Sequence, residues 1–330
     1  FIKNNYPPYV LKADGPAAGK GVIIVDNAQD AVKNLEEMLI HSKFGKSSET
    51  VVIEEFLSGI EMSCFVIFDG LNYKILPYAK DYKRIGEGDT GLNTGGMGSI
   101  SPVNFLDNSL KDKIKIEIIE PTINGLISEK INYVGFIFIG LINVNGQPKV
   151  IEYNVRMGDP ETQVILPRIR NDFFEILICC ANQTLDKIDL EFNPDYYTNV
   201  VLASGGYPED YKKGLEITGL NDIKDSIVFH AGTAGSNVQI GEKYFNGLNC
   251  KQGYYTSLDS VYGDENNPMN LGKKHMSWTE IIDTPGGGAK YIPPSKNDKI
   301  ITNGGRVLSV VSSARTMSEA LKKSYSNIEK

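Results

Sequence analysis

The amino-acid sequence predicts an α+β chain of two unequal lobes followed by a mixed-sheet domain, and three observations carry this. Short apolar runs of strand length, bounded by turn residues, outnumber the helical patterns. The run Val51-Val52-Ile53-Glu54 breaks into Glu55-Phe56-Leu57-Ser58-Gly59-Ile60-Glu61, as a hinge between a small lobe and a larger one would. Around Leu185 to Asp195 the composition turns to Asp, Asn and Pro, which marks a further domain. The expected units are residues 1–57, 58–188 and 189–330.

At 330 residues and 41% hydrophobic content the chain is long enough for two or three domains with a large core. A net charge of -7 with no basic run argues against nucleic acid as the main partner, and leaves small anionic ligands open because they need only local Lys and Arg. The four cysteines, Cys64, Cys179, Cys180 and Cys250, show no CxxC spacing, so a reduced, cytoplasmic chain is the simplest inference. No apolar run is long enough to span a bilayer, and Phe1-Ile2-Lys3-Asn4-Asn5 has neither a signal-peptide layout nor an initiator Met, so a fragment is expected.

Taken in order, Pro8-Tyr9-Val10-Leu11-Lys12 reads as a strand entering Ala13-Asp14-Gly15-Pro16-Ala17-Ala18-Gly19-Lys20-Gly21, and Val22 to Val25 as the strand leaving it. Three residues stand between Gly15 and Gly19-Lys20, no hydroxyl follows Lys20, and a strand comes next, so this is no P-loop. Small residues still let backbone N–H groups approach an anion, with Lys12 and Lys20 within reach of phosphates; a ligand-free glycine hairpin is the plain alternative. Asp30 to Met38 has helical spacing with Asp30 placed to cap it. The crevice at the buried Val51–Glu54 strand suits adenine, read by backbone groups of Glu55, Phe56 and Leu57, with Glu61 accepting from ribose hydroxyls.

Ser63 to Phe68, a turn at Asp69-Gly70, and Tyr73 to Tyr78 form a sheet-like pattern. Lys80-Asp81-Tyr82-Lys83-Arg84 then flows into a glycine-rich stretch through Gly98, read as a long functional loop whose cations, amide and hydroxyl suit a phosphorylated sugar or an amino-acid carboxylate. A helix from about Ser109 to Lys130 has Pro121 as kink or boundary, and Phe136 to Asn143 is a buried strand pairing with Lys149 to Asn154. Asp172 starts an apolar helix from Phe173 to Cys180. Asn199 to Pro208, Ile227 to Thr233 and Gly304 to Val311 supply the later strands, and a helix runs on from Met317.

The stretch Val150-Ile151-Glu152-Tyr153-Asn154-Val155-Arg156-Met157-Gly158-Asp159-Pro160-Glu161-Thr162-Gln163 holds the densest chemistry. Side chains two apart on a strand share a face, so Glu152, Asn154 and Arg156 are expected to project together. A carboxylate beside an amide oxygen suits Mg²⁺ that already carries phosphate oxygens, and a guanidinium suits a phosphoryl group in transfer.

These segments resemble the ATP-grasp superfamily and, within it, the phosphoribosylamine-glycine ligase family. The resemblance rests on Leu11 to Gly15 with Ala17 to Gly21, Ile53 to Leu57, Asp89-Thr90-Gly91 with Asn93 to Gly98, Ile151 to Asn154 with Gly158 to Gln163, His230-Ala231-Gly232-Thr233, and Asn303-Gly304-Gly305-Arg306-Val307, in that order. It implies an ATP-grasp fold of two α+β lobes and a C-terminal domain. It also implies ATP-dependent joining of glycine to 5-phosphoribosylamine through glycyl phosphate, by positioning and charge neutralisation without a covalent nucleophile.

On that resemblance Lys12, Gly19, Lys20 and Gly21 would hold ATP phosphates, Glu54, Glu55, Phe56, Leu57 and Glu61 the adenosine, and Glu152 and Asn154 the Mg²⁺ or Mn²⁺. Arg156, Lys83 and Asp159 would be catalytic, Arg156 on the transferring phosphoryl group. Asp81, Lys83, Asn93, Thr94, Gly95, Gly96, Asp159, Pro160 and Glu161 would surround glycine and 5-phosphoribosylamine. A monomer without nucleic-acid or membrane partners is expected.

The chain departs from the family pattern in three ways. Lys80-Asp81-Tyr82-Lys83-Arg84 stands where the family often has Gln-Asp-His-Lys-Arg. The doubly wound N-terminal domain and the end of the family's last segment are expected to be missing. An insertion at about 234–300, with His275 and Trp278, replaces a short hairpin. The alternatives are a truncated, non-catalytic Mg-ATP-binding fragment and another ATP-grasp carboxylate-amine ligase of purine synthesis.

Overall fold

The computed structural model describes residues 1–17, 21–235 and 299–329, so the expectations for Gly19, Lys20 and most of the 234–300 insertion lie outside the described residues. The strands are β1 (Tyr9–Ala13), β2 (Val22–Val25), β3 (Val51–Glu54), β4 (Ile60–Phe68), β5 (Tyr73–Ile75), β6 (Lys80–Gly86), β7 (Thr90–Ser101), β8 (Gly135–Val144), β9 (Gln147–Asn154), β10 (Tyr196–Ala203), β11 (Glu216–Ile217), β12 (Ile227–His230), β13 (Thr233–Gly235), β14 (Ile300–Thr302) and β15 (Arg306–Ala314). The helices are α1 (Ala28–Leu39), α2 (Asn108–Ile114), α3 (Glu120–Ser128), α4 (Thr162–Ile165), α5 (Phe173–Ala181) and α6 (Met317–Ile328). No helix among the described residues is long and apolar enough to cross a membrane. Packing divides the chain into two compact units, one of residues 1–64, 105–132 and 138–154, the other of residues 65–104, 133–137 and 155–330.

In the first unit β2, β1 and β3 form an antiparallel sheet in that order. Leu11 lies opposite Ile23 and Ile53 and faces the core with Ala31 and Met38 of α1. The alternate residues Val10, Lys12, Val22, Ile24, Val52 and Glu54 share the other face, where Val22, Ile24 and Val52 are exposed. β3 is therefore half-buried, in correction of the buried strand expected, because α1 covers only one face. The cap of α1 also differs: Asn27 Oδ1 accepts from the Asp30 N–H at 2.8 Å, which puts Asp30 in the first turn.

The helix expected over 109–130 forms as α2 and α3 joined by a π turn at Lys115–Ile119. Pro121 has no N–H for the carbonyl four residues back, and the turn before it widens. β8 and β9 make a hairpin in which Val144 pairs with Gln147. Asn145 (φ 52°) and Gly146 (φ 83°) supply the left-handed pair that a two-residue turn requires.

The second unit centres on an antiparallel sheet in the order β12-β15-β10-β7-β6. Leu308, Val310 and Val311 of β15 and Val201 of β10 are buried in it, and α6 packs there through Ala320 and Ser324, the latter 3.2 Å from Thr198 Oγ1. The stretch from Lys80 to Gly98, expected as a loop, is instead the β6–β7 hairpin, with register shifts between Tyr82 and Arg84 and between Arg84 and Gly86. Its glycines dilute the strand signal, and β10 holds it by pairing Tyr197 to Val200 with Ser101 to Gly98. Only Tyr73–Ile75 of the expected Tyr73–Tyr78 strand pairs, with β4. Asp172 caps α5 as expected, accepting from Phe174 and Glu175.

Two buried polar groups pin this unit. Asp69 is fully buried and accepts from the N–H groups of Leu71, Asn72 and Leu185. Burial by itself raises its carboxyl, but these bonds and one from the Asn72 amide bring it below the ordinary value. Arg168, 7% exposed, donates to Ser101 Oγ at 2.6 Å and to the Asn193 carbonyl at 3.0 Å, and burial lowers its pKa. A small sheet of β11, β14 and β13 brings Thr233 opposite Thr302 and Gly235 opposite Ile300.

Candidate active site

In the first unit the site begins with Lys12 on β1. Its Nζ lies 2.7 Å from Glu54 Oε2 and donates to the Ile151 carbonyl at 2.9 Å, so the ammonium joins the three-stranded sheet to β9 one residue before Glu152. Around it Val22, Ile24 and Val52 leave an apolar, solvent-facing surface, a setting for a flat ring with a cation at its edge. Beyond Glu54 the strand ends, and Glu55 and Phe56 are exposed, Leu57 half-buried, in an irregular segment with backbone groups outside any sheet. Glu61 is half-buried on β4.

The glycine loop is braced at its base. Gly15 N–H donates to the Ser47 carbonyl at 3.0 Å, Ser47 Oγ to the Pro16 carbonyl at 2.6 Å, and Ala13 N–H to the Gly21 carbonyl at 2.8 Å. A Cβ on Gly21 would meet the Ala17 methyl at 2.8 Å.

Glu152 and Asn154 stand in regular register opposite Gly140 and Phe138 and therefore share a face of β9, as expected. Glu152 is exposed and Asn154 half-buried. No group of three or more His, Cys, Asp or Glu side chains that could hold a metal ion occurs among the described residues. Two hard oxygen donors fit a Mg²⁺ that takes its remaining ligands from phosphate and water, and not a closed protein cage. The expectation that Arg156 extends this face needs correction: β9 stops at Asn154, and Arg156, exposed beyond it, turns its Nη1 to the Met157 carbonyl at 2.9 Å.

The second unit gathers the remaining residues. Arg306 Nη2 lies 2.7 Å from Asp159 Oδ2, and its Nη1 donates to the carbonyls of Gly95 at 2.8 Å and Asp159 at 3.3 Å. The Gly95 N–H donates to Tyr207 Oη at 3.1 Å. Thr94 Oγ1 bridges the Lys83 carbonyl and the Gly96 N–H, at 2.8 and 3.0 Å, and Lys83 Nζ lies 3.8 Å from Asp81 Oδ2. Asn93 is exposed on β7.

Pro160 and Glu161 were expected beside Asp159 as substrate contacts, and the structure buries both. The Pro160 carbonyl takes Ser99 Oγ at 2.7 Å and Asn199 Nδ2 at 3.2 Å, and the Glu161 carboxylate packs over Gly158, while Asp159 between Gly158 and Pro160 is exposed. His230 lies at the end of β12, its Nδ1 3.1 Å from Thr233 Oγ1, with its pKa lowered by burial. Arg306 and Tyr207 are site residues that the sequence alone does not single out. The available signal was a glycine pair before each: Gly304-Gly305 and Gly205-Gly206 are positions where a backbone lets a large side chain approach.

Comparison with known proteins follows these two groupings. Residues 1–162 match the family model described as "Phosphoribosylglycinamide synthetase, ATP-grasp (A) domain", and residues 197–249 the one described as "Phosphoribosylglycinamide synthetase, C domain". The chain is 46% identical over 243 residues to a bifunctional purine biosynthetic protein of Pichia angusta, covering 73% of this chain and 31% of that protein. It is 40% identical over 261 residues to a phosphoribosylamine–glycine ligase of Chlorobaculum tepidum, covering 77% of this chain and 61% of that protein. The crystal structure of a phosphoribosylamine–glycine ligase from Thermotoga maritima superposes with a TM-score of 0.72 at 32% identity, over all of this chain and 67% of that one. The chain thus spans less than two thirds of the length of these two curated relatives.

Proposed function

We propose, from the premise that this chain belongs to the phosphoribosylglycinamide synthetase family and has its ATP-grasp fold, that it takes part in purine biosynthesis as the ligase. The reaction would join glycine to 5-phosphoribosylamine at the expense of ATP, giving glycinamide ribonucleotide, ADP and phosphate. The observation that carries this reading is Lys12, held between Glu54 and the Ile151 carbonyl on an apolar exposed face, one residue from Glu152. It ties a phosphate-seeking cation to the strand that bears the oxygen donors.

In this reading residues 1–57 act as the lid, 58–188 as the large lobe and 189–330 as the C-terminal domain. Val22, Ile24 and Val52 receive the adenine, with the backbone of Glu55 to Leu57 at its edge and Glu61 on the ribose. Lys12 and the base of the Gly15–Gly21 loop neutralise phosphate oxygens. Glu152 and Asn154 would hold Mg²⁺ or Mn²⁺, which when bound draws charge off the phosphoryl oxygens.

Glycine attacks through a carboxylate oxygen at the γ-phosphorus, ADP leaves, and the phosphoribosylamine nitrogen then displaces phosphate from glycyl phosphate to form the amide. No protein nucleophile enters either step, so the chain contributes positioning and charge. Asp81, Lys83, Asn93 to Gly96, Asp159 and Arg306 form the polar surface offered to glycine and the phosphorylated sugar. The chain would act in the cytoplasm as a monomer.

The test is ADP release from Mg-ATP with and without glycine and 5-phosphoribosylamine. Release that needs both substrates supports the reading. Release with a different carboxylate–amine pair would assign the chain to another ligase of the superfamily, and ATP binding without release would leave a nucleotide-binding module.

A further inference from the structure

The Gly95 peptide is held by side chains and not by a neighbouring strand. β6 pairs with β7 at Arg84↔Asn93 and again at Tyr82↔Gly98, and β10 pairs with β7 only from Gly98 onward. Gly95 falls between these rungs and is exposed, yet both of its backbone polar groups have protein partners. Tyr207 Oη accepts its N–H at 3.1 Å and Arg306 Nη1 donates to its carbonyl at 2.8 Å. Both side chains come from more than a hundred residues away, and both reach it because glycines clear the way. A Cβ on Gly95 would lie 2.8 Å from Arg306 Cζ, and a Cβ on Gly305 would run into the Tyr207 ring. The ring is seated against Gly305 and stands edge-on to Tyr211, with centroids 6.2 Å apart. A single peptide is thus gripped from both polar sides by ordered side chains, one of which also holds the Asp159 carboxylate.

We propose that Tyr207 is a positioning residue of the ligase reaction: by taking the Gly95 N–H while Arg306 takes the carbonyl, it fixes one conformation of the Asn93–Gly96 segment against glycine or 5-phosphoribosylamine. The inference rests on the function proposed above, which assigns that segment to these substrates. Tyr207 itself touches neither. Its effect passes through the Gly95 peptide, which is exposed and paired to no neighbouring strand, so that without these two side chains its amide turns to water and the segment loses its fixed conformation. The adenine, Lys12 and Glu152 assignments lie in the first unit and Gly95 in the second, so the KM values for glycine and 5-phosphoribosylamine are the readout expected to move.

The experiment is steady-state kinetics of Tyr207→Phe against wild type, with each of the three substrates varied in turn, beside a thermal melt. The ring stays against Gly305 and only the acceptor is lost. The expected result is a KM for glycine or for 5-phosphoribosylamine raised about tenfold, as one lost hydrogen bond gives, with the KM for ATP within about twofold and the melting temperature unchanged. Amide exchange of the peptide spanning 93–98 should quicken in the variant. Unaltered KM values for all three substrates overturn the inference, as does a rise confined to ATP. A rise in all three together with a lowered melting temperature also overturns it, since that is the mark of a merely structural tyrosine. Wild-type ligation is read in the same assay, so a wild type that joins no glycine defeats the proposed function itself, whereas an active wild type matched by the variant defeats only the role of Tyr207.

Discussion

Lys12 and Glu54 meet diagonally across neighbouring strands, Nζ to Oε2 at 2.7 Å, with the ammonium also bonded to the Ile151 carbonyl. An exposed lysine sweeps a wide volume, while this one is confined to a point on an apolar face and is pre-ordered for an anionic ligand. Lys12→Met should weaken Mg-ATP binding by about 10- to 100-fold, the value of a charge-assisted hydrogen bond, while shifting the melting temperature little because the ion pair is partly exposed. Titration calorimetry with Mg-ATP decides it; wild-type affinity in the variant would leave Lys12 as a clamp between strands.

Glu152 is exposed on β9, beside the register shift that falls between Gly140 and Leu141 of its partner strand, so its replacement tests chemistry and not packing. Glu152→Gln keeps size and shape and removes the charge. ADP formation at saturating Mg²⁺ should fall roughly 100-fold or more, because several kcal/mol of charge neutralisation go with the metal. The melting temperature should not move. Turnover equal to wild type would remove Glu152 from the metal site.

Gly96 has φ +114°, and the space a Cβ would take is filled by the Pro160 ring. Gly96→Ala therefore combines backbone strain with overpacking and should cost about 2–4 kcal/mol in urea denaturation. Gly88, also at positive φ but with open space around it, is the control and should cost less.

Asp69 gives a pH prediction. Its carboxyl is held below the ordinary value when folded, so its contribution is complete above the ordinary carboxylate range and is lost as pH falls through the folded value. Asp69→Asn should lower stability by about 1–3 kcal/mol at neutral pH. The gap to wild type should narrow below about pH 4, where the carboxylates of the unfolded chain are already protonated. Urea midpoints at neutral and acid pH measure both; a gap that does not depend on pH would show that the charge is immaterial.

What the sequence disclosed is local. Asn145-Gly146 between two apolar runs identified the β8–β9 hairpin, Asp172 the start of α5, and Pro121 the break between α2 and α3, because a few adjacent residues decide each. The β6–β7 hairpin was hidden because its glycines carry no alternation, and its order comes from β10, about a hundred residues on. The same distance concealed the hold of Arg306 and Tyr207 on Gly95. Strand periodicity also carried Arg156 past the end of β9, since alternation in a sequence does not say where pairing stops.

The place of β7 between β6 and β10 has a consequence for how the polypeptide is made. On the ribosome the hairpin ending at Ser101 is complete long before Tyr196 to Ala203, its other neighbour, has been synthesised, and β15 comes later still. At about 5–20 residues per second, the edge of β7 waits on the order of 5–20 s with its Gly98–Ser101 rungs unmatched. A nascent chain in that interval exposes an open strand edge, the kind of surface that chaperones cover and that neighbouring chains can pair with, and the time taken to translate residues 102–196 sets how long that edge stays open.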